Sequence, residues 1–235
     1  MQIIGLILLA AVIGYGFQER STAQVSPFDA HALIMVLLGS VAAVLVSSTA
    51  ETARRTLTCL RELVPPFRIF AKTSHAMEEE REAVCALWRE GKRAQAVGLA
   101  EKSAFASTKQ IVALLLQRAP QAVTVKTFLE LRHEEIARSQ PAVSNWEMLA
   151  KLGPSFGMVG TITGMIQLFR NMNADNVNIG GAMSLALVAT LYGVAFGAGI
   201  AGPIGHFLNH LLDERIGVLE RCETSVHELL ARAAT

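Results

Sequence analysis

Four long runs without Asp, Glu, Lys or Arg constrain the fold of this 235-residue chain more than any other feature. A helix needs about 20 apolar residues to cross the core of a bilayer, so the second and third runs each fit one span. Polar residues at both ends of the fourth run leave a span near residues 180–208. The runs are Met1–Gln18, Ala30–Ala50, Leu152–Phe169 and Asn176–Leu212. We therefore expect an all-α membrane protein with four transmembrane helices, near residues 2–18, 30–50, 149–170 and 180–208.

The first run is the shortest, and a cleaved secretory signal peptide is the alternative interpretation. A signal peptide begins with a positively charged region and ends at a site of small residues such as Ala-x-Ala. No Lys or Arg precedes this apolar run, and no clean Ala-x-Ala site precedes Gln24. We therefore expect a retained first span.

Positive charge predicts the orientation of the spans. Lys and Arg cluster directly after the second span, whereas the segments 19–29 and 170–179 carry one Arg each. The positive-inside rule places the clustered side in the cytoplasm. The cluster comprises Arg54, Arg55, Arg61, Arg68 and Lys72. We expect a multi-pass membrane protein with both termini in the cytoplasm.

The segment between the second and third spans is a solvated helical insert. Residues 51–147 hold 27 of the 41 formal charges, and no stretch alternates with period two for long enough to predict a strand. Prolines 65, 66, 120 and 141 divide it into pieces, predicted as helices near 51–63, 67–90, 92–118 and 123–138. The predicted organisation is therefore a first transmembrane pair (1–50), a cytoplasmic helical domain (51–147), a second pair (148–208) and a cytoplasmic C-terminal helix (209–235).

The third span carries an unusual combination of glycine, proline and threonine. Gly153, Gly157, Gly160 and Gly164 share one helix face, and such faces pack backbone to backbone in membranes. Pro154 lacks an N–H and would free the carbonyl of Ala150, which lipid tolerates only where protein or water meets it. Because Thr161 lies on the same side of the helix as Pro154, this side is a candidate wall of a polar path.

The fourth span repeats the pattern. Ala186, Thr190, Gly193 and Gly197 recur at i, i+4, i+7 and i+11, and Pro203 follows. Two helices that each offer small residues, one hydroxyl and one proline are able to line a hydrated path. The simpler interpretation stays open, because small-residue faces usually serve packing and membrane threonines often bond only their own i−4 carbonyl.

The charged residues and motifs that the sequence lacks argue against several classes of function. The central turns of the predicted spans contain no Asp, Glu, Lys or Arg, the usual residues of an ion relay. If the chain conducts protons, the titrating carboxylate must come from another chain. No enzyme motif, metal-ligand spacing or cofactor motif is present, and a formal net charge of +1 argues against a nucleic-acid partner. The three cysteines fall in predicted cytoplasmic segments and are expected to be reduced.

Three segments of the sequence resemble the MotA family of flagellar motor stator subunits. Residues 153–161, Gly-Pro-Ser-Phe-Gly-Met-Val-Gly-Thr, resemble the third-span signature Ala-Pro-Ala-Phe-Gly-Ile-Ile-Gly-Thr. Residues 186–193, Ala-Leu-Val-Ala-Thr-Leu-Tyr-Gly, resemble the fourth-span Ala-Leu-Leu-Thr-Thr-Leu-Tyr-Gly, and residues 29–40 resemble the second span. The related TolQ and ExbB proteins share the proline and Gly-Thr signature but have three spans, so the Leu-Tyr-Gly and the extra span favour MotA.

The resemblance implies partners as well as residue roles. It implies a ring of five such subunits around two copies of a MotB-like single-span, peptidoglycan-binding protein, which supplies the membrane Asp, and a FliG-like rotor protein of the flagellar switch. Ion-pathway and coupling roles carry over to Pro154, Thr161, Thr190 and Pro203. The glycines predicted to pack the helices together are Gly153, Gly157, Gly160, Gly164, Gly193 and Gly197. The family's cytoplasmic rotor-contact segment is matched only loosely, at Arg89, Arg93 and Glu101.

The resemblance also bears on the ion. Family members that carry sodium have two consecutive threonines in the fourth span, and the first of these positions is Ala189 here. A hard cation loses an oxygen ligand there, so we expect a proton-conducting stator subunit that couples ion flow to torque on a cytoplasmic rotor. A TolQ/ExbB-like energiser of envelope processes and a non-conducting membrane scaffold are the alternatives.

Overall fold

The computed structural model describes residues 30–60, 69–171 and 179–234. Within these ranges almost every residue is helical and no strand occurs, so the predicted all-α class is confirmed for the described chain. The predicted first span at 2–18 lies outside the described residues. The helices are α1 (Ala30–Ser47), α2 (Ala50–Thr58), α3 (Ile69–Arg89), α4 (Arg93–Lys102), α5 (Ala106–Leu116), α6 (Gln121–Asn171), α7 (Ile179–Val194), a π-helical segment (Ala195–Ala201) and α8 (Gly202–Ala234).

The described residues divide into two compact units. The first comprises those within Met1–Pro65 and Pro141–Leu208, and the second those within Pro66–Gln140 and Asn209–Thr235. Helices α6 and α8 each contribute residues to both units. Helix α2, which we expected in the insert, belongs to the first unit.

The first unit has two apolar clusters. In one, Ala32 and Val36 of α1 pack against Leu185 and Ala189 of α7. The second gathers side chains from α1, the middle of α6, the π segment and the start of α8, namely Val44, Val143, Trp146, Leu149, Ala201, Ile204 and Leu208. The pattern of small and β-branched residues lets α1, α6 and α7 approach closely.

A buried polar network joins α2 to α6 within this unit. Asn145 Nδ2 donates to Thr56 Oγ1 at 2.8 Å, and Trp146 Nε1 donates to the Thr56 carbonyl at 3.1 Å. Ser48 Oγ donates to Asn145 Oδ1 at 3.0 Å. Each polar atom in this set therefore has a partner, which is the condition for burying it at little cost.

The second unit is a helical bundle with its own core. Phe128 of α6 and Ile111 of α5 are fully buried together with Val84 of α3 and Val226 of α8. Burial opposes ionisation of Glu78, but hydrogen bonds from Arg81 and Arg221 outweigh it and lower the pKa of that carboxyl. Burial also raises the pKa of the Cys222 thiol to about 12. Cys59, Cys85 and Cys222 form no disulfide bond.

Two predicted helix boundaries are wrong. The predicted helix at 92–118 ends at Lys102 and restarts at Ala106, because Ser103 adopts an extended conformation (φ −65°, ψ 141°). The predicted helices at 123–138 and 149–170 are one 51-residue helix, α6, which contains Pro141 and Pro154. A proline inside a helix costs about 3 kcal/mol, and the buried side chains that follow Pro141 (Ala142, Val143 and Trp146) offset it.

Two helical stretches among the described residues are long and apolar enough to cross a membrane, Ala30–Ser47 and Met183–Arg232. They overlap the predicted second and fourth spans. The predicted third span lies in α6 and is not among them. Its proline, glycines, threonines and glutamine make it less apolar than the other two.

Glycines 91 and 98 predict opposite effects of the same substitution. Gly91 turns the chain between α3 and α4 with a φ of +77°, whereas Gly98 lies inside α4 with no atom within 4 Å of an added Cβ. We expect Gly98→Ala to raise the free energy of unfolding by about 0.5–1 kcal/mol and Gly91→Ala to lower it by about 1–2 kcal/mol. Thermal unfolding of the purified protein in detergent measures both, and a Gly91→Ala variant as stable as the parent would contradict the assignment.

Candidate functional site

Helices α6 and α7 touch through their backbones. A Cβ added to Gly153 would lie 2.7 Å from the Gly193 carbonyl oxygen and 2.8 Å from Gly197 Cα. A Cβ added to Gly157 would lie 3.1 Å from both the Ala189 carbonyl oxygen and Thr190 Cα. Since these neighbours are backbone atoms, a side chain does not fit at Gly153, and one at Gly157 would require the facing backbone to move by a few tenths of an ångström. Gly153, Gly157, Gly193 and Gly197 therefore lie at one interface.

The same interface continues along α6. A Cβ on Gly160 would overlap Ala189 Cβ and would lie 3.3 Å from Met35 Cε of α1. On the α7 side, a Cβ on Gly193 would lie 2.5 Å from the Gly153 carbonyl oxygen. Gly164 is also buried. This close approach sets the separation of the two helices and hence the position of every polar side chain on them.

The two predicted pathway threonines meet at this interface. Thr161 Oγ1 and Thr190 Oγ1 are 2.5 Å apart, and both hydroxyls are half-buried. Thr161 Oγ1 also lies 3.2 Å from the Gly157 carbonyl oxygen and 3.3 Å from that of Ala186. Thr190 Oγ1 lies 3.4 Å and 3.2 Å from the same two carbonyls. Four oxygens from two helices thus form one polar cluster, which we call the hydroxyl pair site.

The number of hydroxyl hydrogens determines which hydrogen bonds the hydroxyl pair site can make. Two hydroxyls supply two hydrogens, one of which joins the hydroxyls while the other goes to a carbonyl. A hydroxyl oxygen has two acceptor positions, so the donor of the mutual bond keeps a free acceptor. Because the two hydroxyls are equivalent in this respect, the bond can reverse. The site can therefore accept a hydrogen bond from a neutral acid or, after rotation of a hydroxyl, donate one to its anion.

Pro154 lies against the π segment. A Cβ on Gly197 would lie 2.5 Å from Pro154 Cδ and 2.6 Å from the carbonyl oxygen of Ala150, the group that the proline leaves without its helical donor. The hydrogen that replaces a side chain on Gly197 therefore faces this oxygen, and a Cα–H···O contact partly compensates for the missing bond. Protein, rather than open water, meets the freed carbonyl.

Pro203 lies just after the π segment. The Gly202 N–H donates to the Gly197 carbonyl, five residues earlier, and Pro203 is the second residue of α8. A proline is tolerated in the first turn of a helix, where its missing N–H costs least. Pro203 is exposed and is not brought together with Pro154, Thr161 or Thr190 by any described contact.

The three candidate rotor-contact residues lie in the second unit. Arg89 Nη2 is 3.9 Å from Glu228 Oε2, with both side chains about half exposed. The Arg93 guanidinium lies 5.5 Å above the Trp88 ring. Glu101 is exposed near the opposite end of α4. The two arginines therefore flank the turn at Gly91, and Glu101 lies about two helical turns from Arg93.

The sequence did not reveal two features of the site. Ala189 is completely buried between Gly160 and α1, a packing role that its place in the motif did not indicate. The contact between Gly197 and the Ala150 carbonyl was also missed, although the i−4 rule had singled out that carbonyl. The regular spacing of small residues was the only sequence signal for the burial of Ala189 or for the contact of Gly197 with the Ala150 carbonyl.

Comparison with known proteins identifies the family. The family model described as the MotA/TolQ/ExbB proton channel family matches residues 100–221, which is more than half of the chain. The chain belongs to this family. The match covers the end of α4 together with α5, α6, α7 and most of α8, and so includes the glycine interface and the hydroxyl pair site. The resemblance seen in the sequence is thus confirmed.

Curated relatives are similar over shorter stretches. Motility protein A of Aquifex aeolicus is 42% identical over 74 residues, which cover 32% of this chain and 29% of the relative. Motility protein A of Treponema pallidum is 28% identical over 134 residues, covering 54% of this chain and 51% of the relative. The matches thus span about a third to a half of the length of these relatives.

Solved stator structures show the same fold over nearly the whole chain. The flagellar MotAB stator complex from Bacillus subtilis superimposes with a TM-score of 0.74 at 20% identity, covering 97% of this chain and 88% of that one. The C. jejuni MotAB structure gives 0.78 at 12% identity, with coverage of 98% and 89%. At these identities the similarity establishes the fold of the family member described here.

The glycine interface predicts a sharp difference between two Gly→Ala variants. Gly193→Ala places a methyl group 2.5 Å from a backbone oxygen, whereas the nearest atom to a Cβ on Gly202 is 3.4 Å away. We expect Gly193→Ala to lower stability by about 1–3 kcal/mol through overpacking and Gly202→Ala to stay within about 0.5 kcal/mol of the parent. Thermal unfolding in detergent measures both, and equal losses from the two variants would show that the interface is looser than described.

Proposed function

We propose that this protein is the proton-conducting stator subunit of a rotary, flagellar motor. Family membership and the stator fold support the class. The hydroxyl pair site is the observation that carries the proposal, because it places a reversible donor and acceptor on a charge-free stretch of two helices. The activity is transport and torque generation, not enzymatic catalysis.

The partner supplies the group that the site lacks. No Asp, Glu, Lys or Arg lies between residues 151 and 170 or between 175 and 213. A MotB-like single-span protein that brings a membrane Asp to Thr161 and Thr190 completes the path. Protonated, this carboxyl donates to the free acceptor of the pair; ionised, it accepts from a rotated hydroxyl.

Alternation between the protonated and the ionised carboxyl drives the stepwise movement of the ring of subunits. Neutralising the carboxylate removes its charge-assisted hydrogen bond, which is roughly twice as strong as a neutral one. Weakening that bond releases the partner helix, and the ring of subunits moves by one position before the proton leaves. One charge crossing 100 mV supplies about 2.3 kcal/mol, which is comparable with the net value of about 1.5–3 kcal/mol for one hydrogen bond to a charged group.

The environment of Ala189 supports protons rather than sodium. Sodium is a hard cation and binds through several oxygen ligands, as calcium and magnesium do. Ala189 has no hydroxyl, is fully buried, and lies against Gly160 and α1. The hydroxyl pair site therefore lacks the extra side-chain oxygen that a second threonine would add.

Exposed apolar surface supports a membrane location and assembly with other chains. Large apolar side chains are exposed along α1, the last third of α6, and α7, where water would be an unfavourable neighbour. They include Leu38, Leu45, Ile162, Phe169 and Leu187, each more than half exposed. Lipid and neighbouring subunits cover such a surface. We propose four spans, both termini inside, in the bacterial inner membrane, with five copies around two partner chains.

The cytoplasmic unit acts on the rotor. Arg89, Arg93 and Glu101 are charged residues of the second unit around the exposed face of α4, and a FliG-like rotor protein with complementary charges is the proposed partner. Rim charges of this kind set orientation and association rate. A TolQ/ExbB-like energiser is the second candidate because the matching family model includes those proteins. Co-purification separates the two, since a stator captures a partner with a peptidoglycan-binding domain.

Removing one hydroxyl tests the path. We expect Thr190→Val or Thr161→Val to reduce proton flux by at least about tenfold in vesicles that contain the partner, because the remaining hydroxyl bonds its own i−4 carbonyl and no longer exchanges. Thr163→Val is the matched control, since Thr163 Oγ1 donates only to the Val159 carbonyl at 2.9 Å on the same helix. Flux that survives Thr190→Val and Thr161→Val unchanged would remove the basis of the proposal.

Ion replacement tests selectivity separately. We expect rotation and flux to persist when sodium is replaced by potassium and to stop when a protonophore collapses the proton gradient, because position 189 offers no oxygen ligand. Motility in sodium-free medium and internal pH in vesicles provide the readouts. Rotation that requires sodium and resists the protonophore would contradict proton conduction.

A further inference from the structure

Glu80 of α3 holds the turn between α4 and α5. Ser103 Oγ donates to Glu80 Oε2 at 2.5 Å, and Thr108 Oγ1 donates to the same oxygen at 2.9 Å. Ser103 Oγ in turn accepts from the Phe105 N–H at 3.0 Å. One carboxylate oxygen therefore receives hydrogen bonds from both sides of the three-residue turn.

These bonds account for the break that the sequence pattern did not predict. Ser103 leaves the helical conformation and is buried, and Phe105, the N-cap residue of α5, makes no side-chain cap. Thr108 is the third residue of α5, so the carboxylate lies beside the positive end of that helix, where a negative charge is favourable. Glu80 thus holds the start of α5 through the side chains of Ser103 and Thr108 and fixes the orientation of α4 at this turn.

The direction of α4 matters because this helix carries two of the proposed rotor-contact residues. Ala96 and Ala100 are its only buried residues, and Arg93 and Glu101 lie exposed. Val97 and Leu99 are partly buried and pack against the core of the second unit, and the contacts at the two ends of α4 add to this packing in setting the orientation of the helix. Arg93 is fixed at one end by its contact with Trp88, and the turn held by Glu80 lies at the other.

We propose that Glu80 is a positioning residue for torque transmission, which it performs by holding α4 in the orientation that presents Arg93 and Glu101 to the rotor. This inference rests on the proposed function. Glu80 touches neither the ion path nor the rotor-contact side chains in any described contact. Its loss should therefore uncouple the motor, leaving proton flux intact while torque falls.

The chemistry of the contact defines the variants. Both donors are neutral hydroxyls, and among the described residues no cationic group pairs with Glu80. A glutamine keeps one carbonyl oxygen that can accept both bonds, so Glu80→Gln should preserve the turn while Glu80→Ala removes it. The double variant Ser103→Ala/Thr108→Val removes the same bonds from the other side. Glu79→Ala is the matched control, because Glu79 is the exposed neighbouring carboxylate.

The experiment combines three readouts on the full-length protein with its partner. Trypsin cleavage after Lys102, relative to cleavage after Arg118, reports on the turn; we expect about a tenfold rise in Glu80→Ala, equivalent to about 1.4 kcal/mol. Tethered-bead rotation should lose most of its torque in Glu80→Ala and in the double variant and retain it in Glu80→Gln and Glu79→Ala. Proton flux in vesicles should be unchanged in all four variants.

Three results would contradict the positioning role of Glu80. Full torque in Glu80→Ala, or loss of flux and assembly along with torque, would overturn the positioning role, since the second result marks a residue that merely holds the fold. Failure of Glu80→Gln to restore torque would also overturn it. If the parent itself neither conducts protons nor turns a rotor, the proposed function fails, while the cleavage ratio still tests whether Glu80 holds the turn.

Discussion

The backbone contact between α6 and α7 is the constraint on which the rest of the site depends. Gly153, Gly157 and Gly193 bring the two helices so close that backbone atoms occupy the space of a side chain. Only at this separation do the hydroxyls of Thr161 and Thr190 reach one another and share the carbonyls of Gly157 and Ala186. In a membrane, where burial of apolar surface provides no driving force between helices, such packing is what holds a helix pair together.

The same closeness explains why the site carries no charge of its own. An ionised side chain in a membrane span is costly and requires a partner or water, and an interface lined with glycine has room for neither. A hydroxyl pair is small, neutral and able to exchange donor and acceptor roles. It therefore suits the proposed interaction with both protonation states of a carboxyl group on a different chain.

Sequence patterns predicted what depends on local periodicity. The spacing of Gly153, Gly157 and Gly160 and the i+7 relation of Pro154 to Thr161 follow from helix geometry alone, and the fold bears out the helices that carry them. Sequence patterns gave the wrong prediction where residues distant in the sequence determine the local backbone conformation. Ser103 breaks a helix because Glu80, on another helix, receives its hydroxyl, and Pro141 does not break one because its neighbours Val143 and Trp146 are buried in tertiary contacts. Neither effect has a signal within its own segment.

The place of Pro154 against Gly197 changes what the proline contributes. The sequence predicts that the freed carbonyl lines a polar path, but the Ala150 oxygen faces Gly197 and the proline ring covers the same glycine. The carbonyl is therefore engaged in the contact between α6 and the π segment and is not presented to a partner. In the proposed mechanism, Thr161 and Thr190 are therefore the polar groups of the interface that a partner carboxyl reaches, and Pro154 fixes the relative position of the helices that hold them.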